Sequence, residues 1–210
     1  MEPIVERIAV GVDIGQRQDP TAVVVCEVQR RDYVLGRSGR PAGGAFHFVS
    51  RHVERLPLGT TYPAIVDRLV QIHNGLMDKR NGRCVRYWLD ATGVGQPVVD
   101  LLHAAGLRAY LTPVYLTGTD RAVLEDGQLR LGKALLVSRL QVLLQAGLIH
   151  LPQTAEAKAL VDELLIYEIR INDNAHAQFG AFKIGQHDDL ATALGLACWN
   201  DPTRKGVFVG

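Results

Sequence analysis

Ile8-Ala-Val-Gly-Val-Asp-Ile-Gly15 and Ala22-Val-Val-Val-Cys-Glu-Val28 are two apolar, β-branched runs separated by the turn-rich Gly15-Gln-Arg-Gln-Asp-Pro20. β-Branched side chains fit a pleated sheet, and Gly, Asp and Pro supply the reversal, so the spacing predicts two adjacent antiparallel strands. The first run ends in Asp13. A carboxylate at the end of an apolar strand carries a large desolvation cost unless donors or a cation compensate it. A turn-capping Asp that uses Gly15 for backbone freedom is the plainer alternative, and this segment alone leaves the two balanced.

Working outward, Arg30 to Gly44 is rich in Arg and Gly and reads as a loop or ragged hairpin, and Ala45 to Val53 alternates as a third strand. Pro63 opens a helix with Ile65, Val66, Leu69, Val70 and Ile72 on one face, ending near Gly75. Cys84 to Leu89 is a fourth strand. Gly93 and Gly95 then turn the chain into a helix around Pro97, and Leu107 to Val114 returns as a fifth strand. The second half predicts helices over Lys133 to Ala146 and Thr154 to Leu165, then a hairpin from Ile166 to Ile184 turning at Asn172-Asp-Asn174. A last helix runs from Asp188 to Trp199. Three antiparallel strands, then helix, strand, helix and strand, is the order of an RNase H-like core: an α/β fold with a central mixed sheet flanked by helices, here with an added β-hairpin near the acidic residues. Residues 1–200 are expected to form this domain and 201–210 a polar C-terminal tail.

On that map Asp90, in Trp88-Leu-Asp-Ala-Thr-Gly-Val-Gly95, repeats the situation of Asp13 on a later strand. If the two strands are neighbours, both carboxylates point to one end of the sheet and can bridge a divalent ion. Asp188 and Asp189 follow His187 and precede Leu-Ala-Thr-Ala-Leu-Gly-Leu-Ala197. Asp is favoured at helix starts regardless of function. The small residues behind this pair, however, let the helix pack tightly against the sheet and bring its acidic end to the same place. Hard oxygen ligands, with no Cys and at most one His, point to Mg²⁺ or Mn²⁺ rather than zinc.

Composition sets the limits. The 210 residues, 47% apolar and 21% charged, suit one soluble domain with a sizeable core. Lys and Arg number 23 against 22 Asp and Glu, so nucleic acid would have to be held by local patches and metal ions rather than by net charge. Cys26, Cys84 and Cys198 are scattered, without zinc or disulfide spacing. No apolar stretch approaches membrane-spanning length, and no membrane association is expected. Gly127-Gln-Leu-Arg-Leu-Gly-Lys-Ala134 nearly matches a phosphate loop, but Ala134 lacks the hydroxyl that would hold Mg²⁺ and no convincing buried strand precedes the segment, so it is assigned no nucleotide.

Val10-Gly-Val-Asp-Ile-Gly15 with Asp19-Pro-Thr-Ala22, Leu89-Asp-Ala-Thr-Gly-Val-Gly95 and His187-Asp-Asp-Leu-Ala-Thr-Ala-Leu194 together resemble the nuclease domain of the large terminase subunit of tailed bacteriophages, within the RNase H-like and RuvC-like nucleases. Gly132-Lys133, Ala146-Gly-Leu-Ile-His-Leu-Pro152 and Asp162-Glu-Leu-Leu-Ile-Tyr167 also resemble that family, extending the similarity over Ile8 to Trp199. The resemblance implies an endonuclease that cuts double-stranded phage DNA concatemers during packaging, with Asp13, Asp90 and one or both of Asp188 and Asp189 as catalytic metal ligands. Asp189 is ranked ahead because related resolvases place a ligand at that helix register relative to Ala193-Leu194. Thr192 stands where such sequences often carry a further acid. His187 and Asp19 are auxiliary candidates, set against structural roles at the helix start and in the first turn. Two ions about 3.5 to 4 Å apart would activate a water and stabilise the leaving 3′-oxygen.

Phosphate contacts are expected from Lys183 first, then from Lys133 and Arg139, with Arg30, Arg31, Arg37 and Arg40, or Lys79, Arg80, Arg83 and Arg86, as further basic clusters whose plain reading is a solvated surface. The implied partners are double-stranded DNA, a packaging ATPase motor, the portal and the small terminase subunit, and the implied location is the cytoplasm of an infected bacterium. A RuvC-type junction resolvase shares the fold and metals and would prefer branched DNA. A catalytically silent RNase H-like DNA-binding module would cut neither. An actin-like or sugar-kinase ATPase also begins with a strand ending in Asp-Ile-Gly, but needs a duplicated domain and a phosphate loop.

Overall fold

The computed structural model describes residues 2–15, 19–36, 39, 41–93, 95–166, 168–171, 177–180 and 187–199. Strand β1 (Ile4–Asp13) pairs antiparallel with β2 (Ala22–Arg31), as the two opening runs predict. Gly15 N–H donates to Thr21 Oγ1 at 3.0 Å across the turn. A Cβ at Gly15 would lie 2.1 Å from the Asp19 carbonyl oxygen, so only glycine fits there. A short hairpin of β3 (Val34–Leu35) and β4 (Pro41–Ala42) leads into β5 (Ala45–Arg55), antiparallel to β2. Helix α1 (Tyr62–Lys79) then crosses to β6 (Cys84–Asp90), which runs parallel to β1 on its other side.

Helix α2 (Gly95–Ala104) and strand β7 (Leu111–Thr117) follow, with β7 parallel to β6. The hairpin of β8 (Ala122–Glu125) and β9 (Gln128–Gly132) closes one edge of the sheet, β9 lying parallel to β7. Helix α3 (Lys133–Gln145), strand β10 (Ile149–His150), helix α4 (Ala155–Ile166), the hairpin of β11 (Glu168–Ile171) and β12 (Ala177–Gly180), and helix α5 (Asp189–Trp199) complete the described chain. The order across the eight-stranded sheet is β10-β5-β2-β1-β6-β7-β9-β8. Three antiparallel strands continued by parallel ones beyond β1 make this the RNase H-like arrangement.

Alternation along the strands sorts the core into two faces. Ile8, Val10 and Val12 of β1 join Val23, Val25, Tyr87 and Leu89 beneath α1 and α2, against Ile65, Leu69, Val98 and Leu102. Ala9, Ala22, Val24, Cys26 and Val28 form the opposite face, covered by Leu190, Ala193, Leu194 and Ala197 of α5. Gly11 belongs to that second face. A Cβ there would stand 1.9 Å from the Ala193 carbonyl oxygen and 2.5 Å from the Ala197 nitrogen, so α5 rests backbone to backbone on β1. The small residues of α5 serve this approach, and its residues from Asp189 to Cys198 are all buried. Each fully buried leucine in it contributes about 1.5 to 3 kcal/mol.

Several boundaries differ from the sequence expectation. Helix α1 continues past Gly75 to Lys79: a Cβ at Gly75 would meet nothing within 4 Å, and the reversal comes instead at Asn81 and Gly82, with φ of 47° and 76°. Strand β7 begins at Leu111 rather than Leu107, because Leu107 to Tyr110 form a turn closed by Tyr110 N–H donating to the Leu107 carbonyl. The near phosphate-loop segment is strand β9, with Leu129 and Leu131 fully buried, and Gly127 belongs to the β8–β9 turn. Its backbone is committed to a sheet ladder, whereas a phosphate loop needs free amides. The sequence-predicted turn at Asn172-Asp-Asn174 and the tail 201–210 lie outside the described residues. Among the described residues no helix is long and apolar enough to cross a membrane.

Candidate active site

Parity along β1 and β6 decides where the two strand-end acids point. Because Val12 and Leu89 face α1 and α2, Asp13 and Asp90 face the α5 side, and the parallel register sets them directly opposite each other. Their carboxylates therefore share one end of one sheet face, as the sequence anticipates for neighbouring strands.

The α5 packing brings the third acidic element to the same place. Ala193 sits over Gly11; the four residues back to Asp189 are about 6 Å of rise, and two residues along β1 is about 6.6 Å, so the start of α5 arrives beside Asp13. The Asp188 carbonyl accepts the Thr192 N–H at 2.8 Å, which makes Asp188 the residue that opens the helix. Asp188 and Asp189 diverge from there as adjacent helical positions must. Asp188 Oδ2 accepts from Lys133 Nζ at 3.2 Å and its side chain is 31% exposed, whereas Asp189 Oδ2 accepts from Arg55 Nε at 2.7 Å and its side chain is 5% exposed. The result is a cleft of about 210 Å³ lined by Asp13, Asp19, Asp90, Asp188 and Asp189, with Lys133 as the one cation of its lining among the described residues.

Charge is crowded in this cleft. Burial first, and then the charges of Asp90, Asp188 and Asp189, push the Asp13 carboxyl well above its ordinary value, with Lys133 opposing. Asp90 is raised by burial, against hydrogen bonds from Thr92 and the charge of Lys133. Its Oδ1 accepts the Thr92 N–H at 2.8 Å, and Thr92 Oγ1 in turn accepts the Leu116 N–H at 2.8 Å, which fixes the descent from β6 against β7. Asp189 is also raised by burial, opposed by Arg55. Its Oδ1 is buried without a hydrogen-bond partner among the described residues. Burial is the first cause of all three shifts, and neighbouring carboxylates add to it for Asp13 and, least of its causes, for Asp90.

An all-oxygen donor set with a deficit of positive charge and an orphaned carboxylate oxygen suits a hard divalent cation. As the side chains stand, no three His, Cys, Asp or Glu among the described residues are drawn together tightly enough to hold one ion. Asp188 and Asp189 are each engaged by a cation of the protein instead.

The other sequence candidates divide. Lys133, the first residue of α3, reaches the cleft through its bond to Asp188. Asp19 also lines the cleft, and His187 Nδ1 lies between it and Asp189, 3.6 Å from Asp19 Oδ1 and 3.9 Å from Asp189 Oδ1. Thr192, where the family resemblance leads one to expect a further acid, is buried in the cleft wall. Arg139 is not brought to the cleft: its Nε donates to the Cys198 carbonyl at 3.0 Å and its guanidinium lies 5.9 Å from the centre of the Trp199 ring, fastening α3 to the end of α5. Arg30 pairs with Glu6, and Arg86 donates to the Ala109 carbonyl. Lys183, Arg37 and Arg40 lie outside the described residues.

Sequence reasoning missed Arg55 and Glu163. Arg55 ends β5, and Glu163 lies 108 positions later on α4, so no local pattern joins them. The one available signal was an acid on the same helical stripe as the buried Ala157 and Leu160.

The mixed sheet and its strand order together define an RNase H-like fold. Among the solved structures it superposes on are large terminases and their nuclease domains. That of thermophilic phage G20c matches with a TM-score of 0.64 at 22% identity, over 92% of this chain and 82% of that one. The SPP1 large terminase nuclease domain with bound Mn matches with a TM-score of 0.54 at 12% identity, over 92% and 85%. The HK97 large terminase gives a TM-score of 0.56 at 12% identity over 93% of this chain, but only 40% of that longer one. No protein-family model matches the chain, and neither does the sequence of any curated protein.

Proposed function

We propose that this chain is a Mg²⁺- or Mn²⁺-dependent endonuclease that hydrolyses double-stranded DNA, in the role of cutting phage concatemers during genome packaging. The observation that carries the reading is the register match of Asp13 with Asp90 on adjacent parallel strands, with Asp188 on the same cleft. Asp13, Asp90 and Asp188 would hold the metal, with Asp189 offering its one free oxygen. This reverses the sequence preference for Asp189, because Asp188 is the more accessible of the two and contributes more than Asp189 to the charge felt by Asp13. When bound, a pair of divalent ions supplies an activated water and neutralises the leaving oxygen. Lys133 neutralises Asp188 in the protein alone and is placed to meet a phosphate once the carboxylates are otherwise occupied. His187 and Asp19 border the cleft as a pair able to orient a water.

The match to under half of the HK97 large terminase supports a nuclease that works as one part of a larger protein. The partners we propose for it are an ATPase motor, the portal and the small subunit, in the host cytoplasm. Incubating the protein with supercoiled plasmid and Mn²⁺ tests the reading. Nicking and linearisation that disappear in Asp13→Ala and Asp90→Ala support it; an inactive wild type, or variants that cut equally well, overturns it.

A further inference from the structure

Three elements distant in sequence meet behind Asp189. Glu163 on α4 is 6% exposed, and both of its carboxylate oxygens are engaged. Oε2 accepts the Ala191 N–H at 2.9 Å, a first-turn amide of α5 that has no partner within its own helix. Oε1 accepts from the guanidinium of Arg55. The same guanidinium donates through Nε to Asp189 Oδ2 at 2.7 Å. Arg55 therefore spans two buried carboxylates, one that caps α5 from outside and one that belongs to it.

A purely structural strut explains the Arg55–Glu163 pair and the capped amide. It does not explain why Asp189 is buried with Oδ1 unpartnered on the wall of a metal-suited cleft. With Oδ2 committed to Arg55, Oδ1 is the oxygen left for a ligand. Planar, forked guanidinium donors can hold two carboxylates in fixed directions, and a point-like ammonium cannot.

We propose that Arg55 and Glu163 are positioning residues for the metal site, acting through Asp189: Arg55 holds one carboxylate oxygen so that the other is presented to the cation, and Glu163 holds both Arg55 and the start of α5. The proposal rests on the metal-dependent reading given above. It assigns different work to the adjacent acids, Asp188 as an accessible ligand that exchanges Lys133 for metal and Asp189 as a pre-set ligand of one oxygen.

Mn²⁺ binding by electron paramagnetic resonance, read beside thermal melting, separates positioning from support. In the full chain, Arg55→Lys is expected to weaken the tighter Mn²⁺ site about tenfold, within the range for residues that orient metal ligands. Glu163→Gln, which keeps an acceptor for the Ala191 amide but loses the charge that holds Arg55, is expected to shift binding the same way and stands in for Arg55→Lys should that variant not fold. Asp189→Asn weakens binding too, and the double variant Arg55→Lys/Asp189→Asn binds no more weakly than Asp189→Asn alone. Lowered melting temperatures with wild-type Mn²⁺ affinity overturn the proposal in favour of a strut, and additive losses show that Arg55 does not act through Asp189. A wild type that binds no Mn²⁺ overturns the metal reading itself, a result visible before any variant is compared.

Discussion

Gly11→Ala puts one methyl group where β1 and α5 touch. The new Cβ would stand 1.9 Å from the Ala193 carbonyl oxygen. Relieving it to an ordinary carbon–oxygen contact of about 3.3 Å requires roughly 1.4 Å of separation between strand and helix. Backbone lies on both sides, so no rotamer change absorbs the strain. Overpacking of this kind costs about 1 to 3 kcal/mol. At about 2 to 4 °C per kcal/mol for a protein of this size, the melting temperature should fall by roughly 2 to 12 °C. The functional consequence is larger, because α5 carries Asp188 and Asp189 at its start, and a displacement of about 1 Å at a catalytic centre costs on the order of 10²-fold in rate. Differential scanning calorimetry and Mn²⁺-dependent plasmid cleavage measure the two effects. A Gly11→Ala protein that melts and cuts like the wild type refutes the backbone contact between β1 and α5, and with it the explanation of how the final acids reach the sheet.

Other substitutions probe the site from different sides. The Asp13 carboxyl titrates well above its ordinary value of 3.8, so the folded protein holds that proton more tightly than the unfolded chain does. Asp13 therefore costs nothing below 3.8 and destabilises progressively as pH rises from there through the folded value. Asp13→Asn should raise the melting temperature of the metal-free protein near neutral pH while abolishing cleavage; a melting temperature that stays level or drops there contradicts the charge crowding. Thr92→Val removes the acceptor for the Leu116 amide, which lies at the surface, and should cost about 0.5 to 1 kcal/mol by urea denaturation. Glu163→Leu leaves the Ala191 amide without its acceptor and Arg55 with Asp189 alone. Because Arg55 is 29% exposed, the loss should lie near the lower end for a broken buried pair, about 3 kcal/mol.

The parts of the fold that were legible in the sequence are those where chemistry is local. The β1–β2 reversal follows from β-branched runs around Gly15 and Pro20, and α5 from an apolar run of small residues behind two acids. Asp13 and Asp90 stood out because an acid at the end of an apolar strand needs compensation. What was missed depends on space rather than spacing. Gly75 reads as a stop, but it lies on an open face of α1 where glycine costs helix stability without ending it. Strand β10 has two residues and owes its place to pairing with Phe48 and Val49 of β5. The β8–β9 hairpin was hidden by a glycine pattern that resembles a phosphate loop. Arg139 reads as a free cation, yet the Cys198 carbonyl and Trp199 claim it. Arg55 carries no local signal and Glu163 only that of an acid on a buried helical stripe, since each acquires its role only when β5, α4 and α5 converge.

If the paired strand-end acids hold divalent metal, as proposed, anomalous diffraction from crystals soaked in Mn²⁺ will show a manganese peak between the carboxylates of Asp13 and Asp90, lost in Asp13→Asn. A cleft without manganese at saturating concentration, or manganese bound only away from these two side chains, would contradict it.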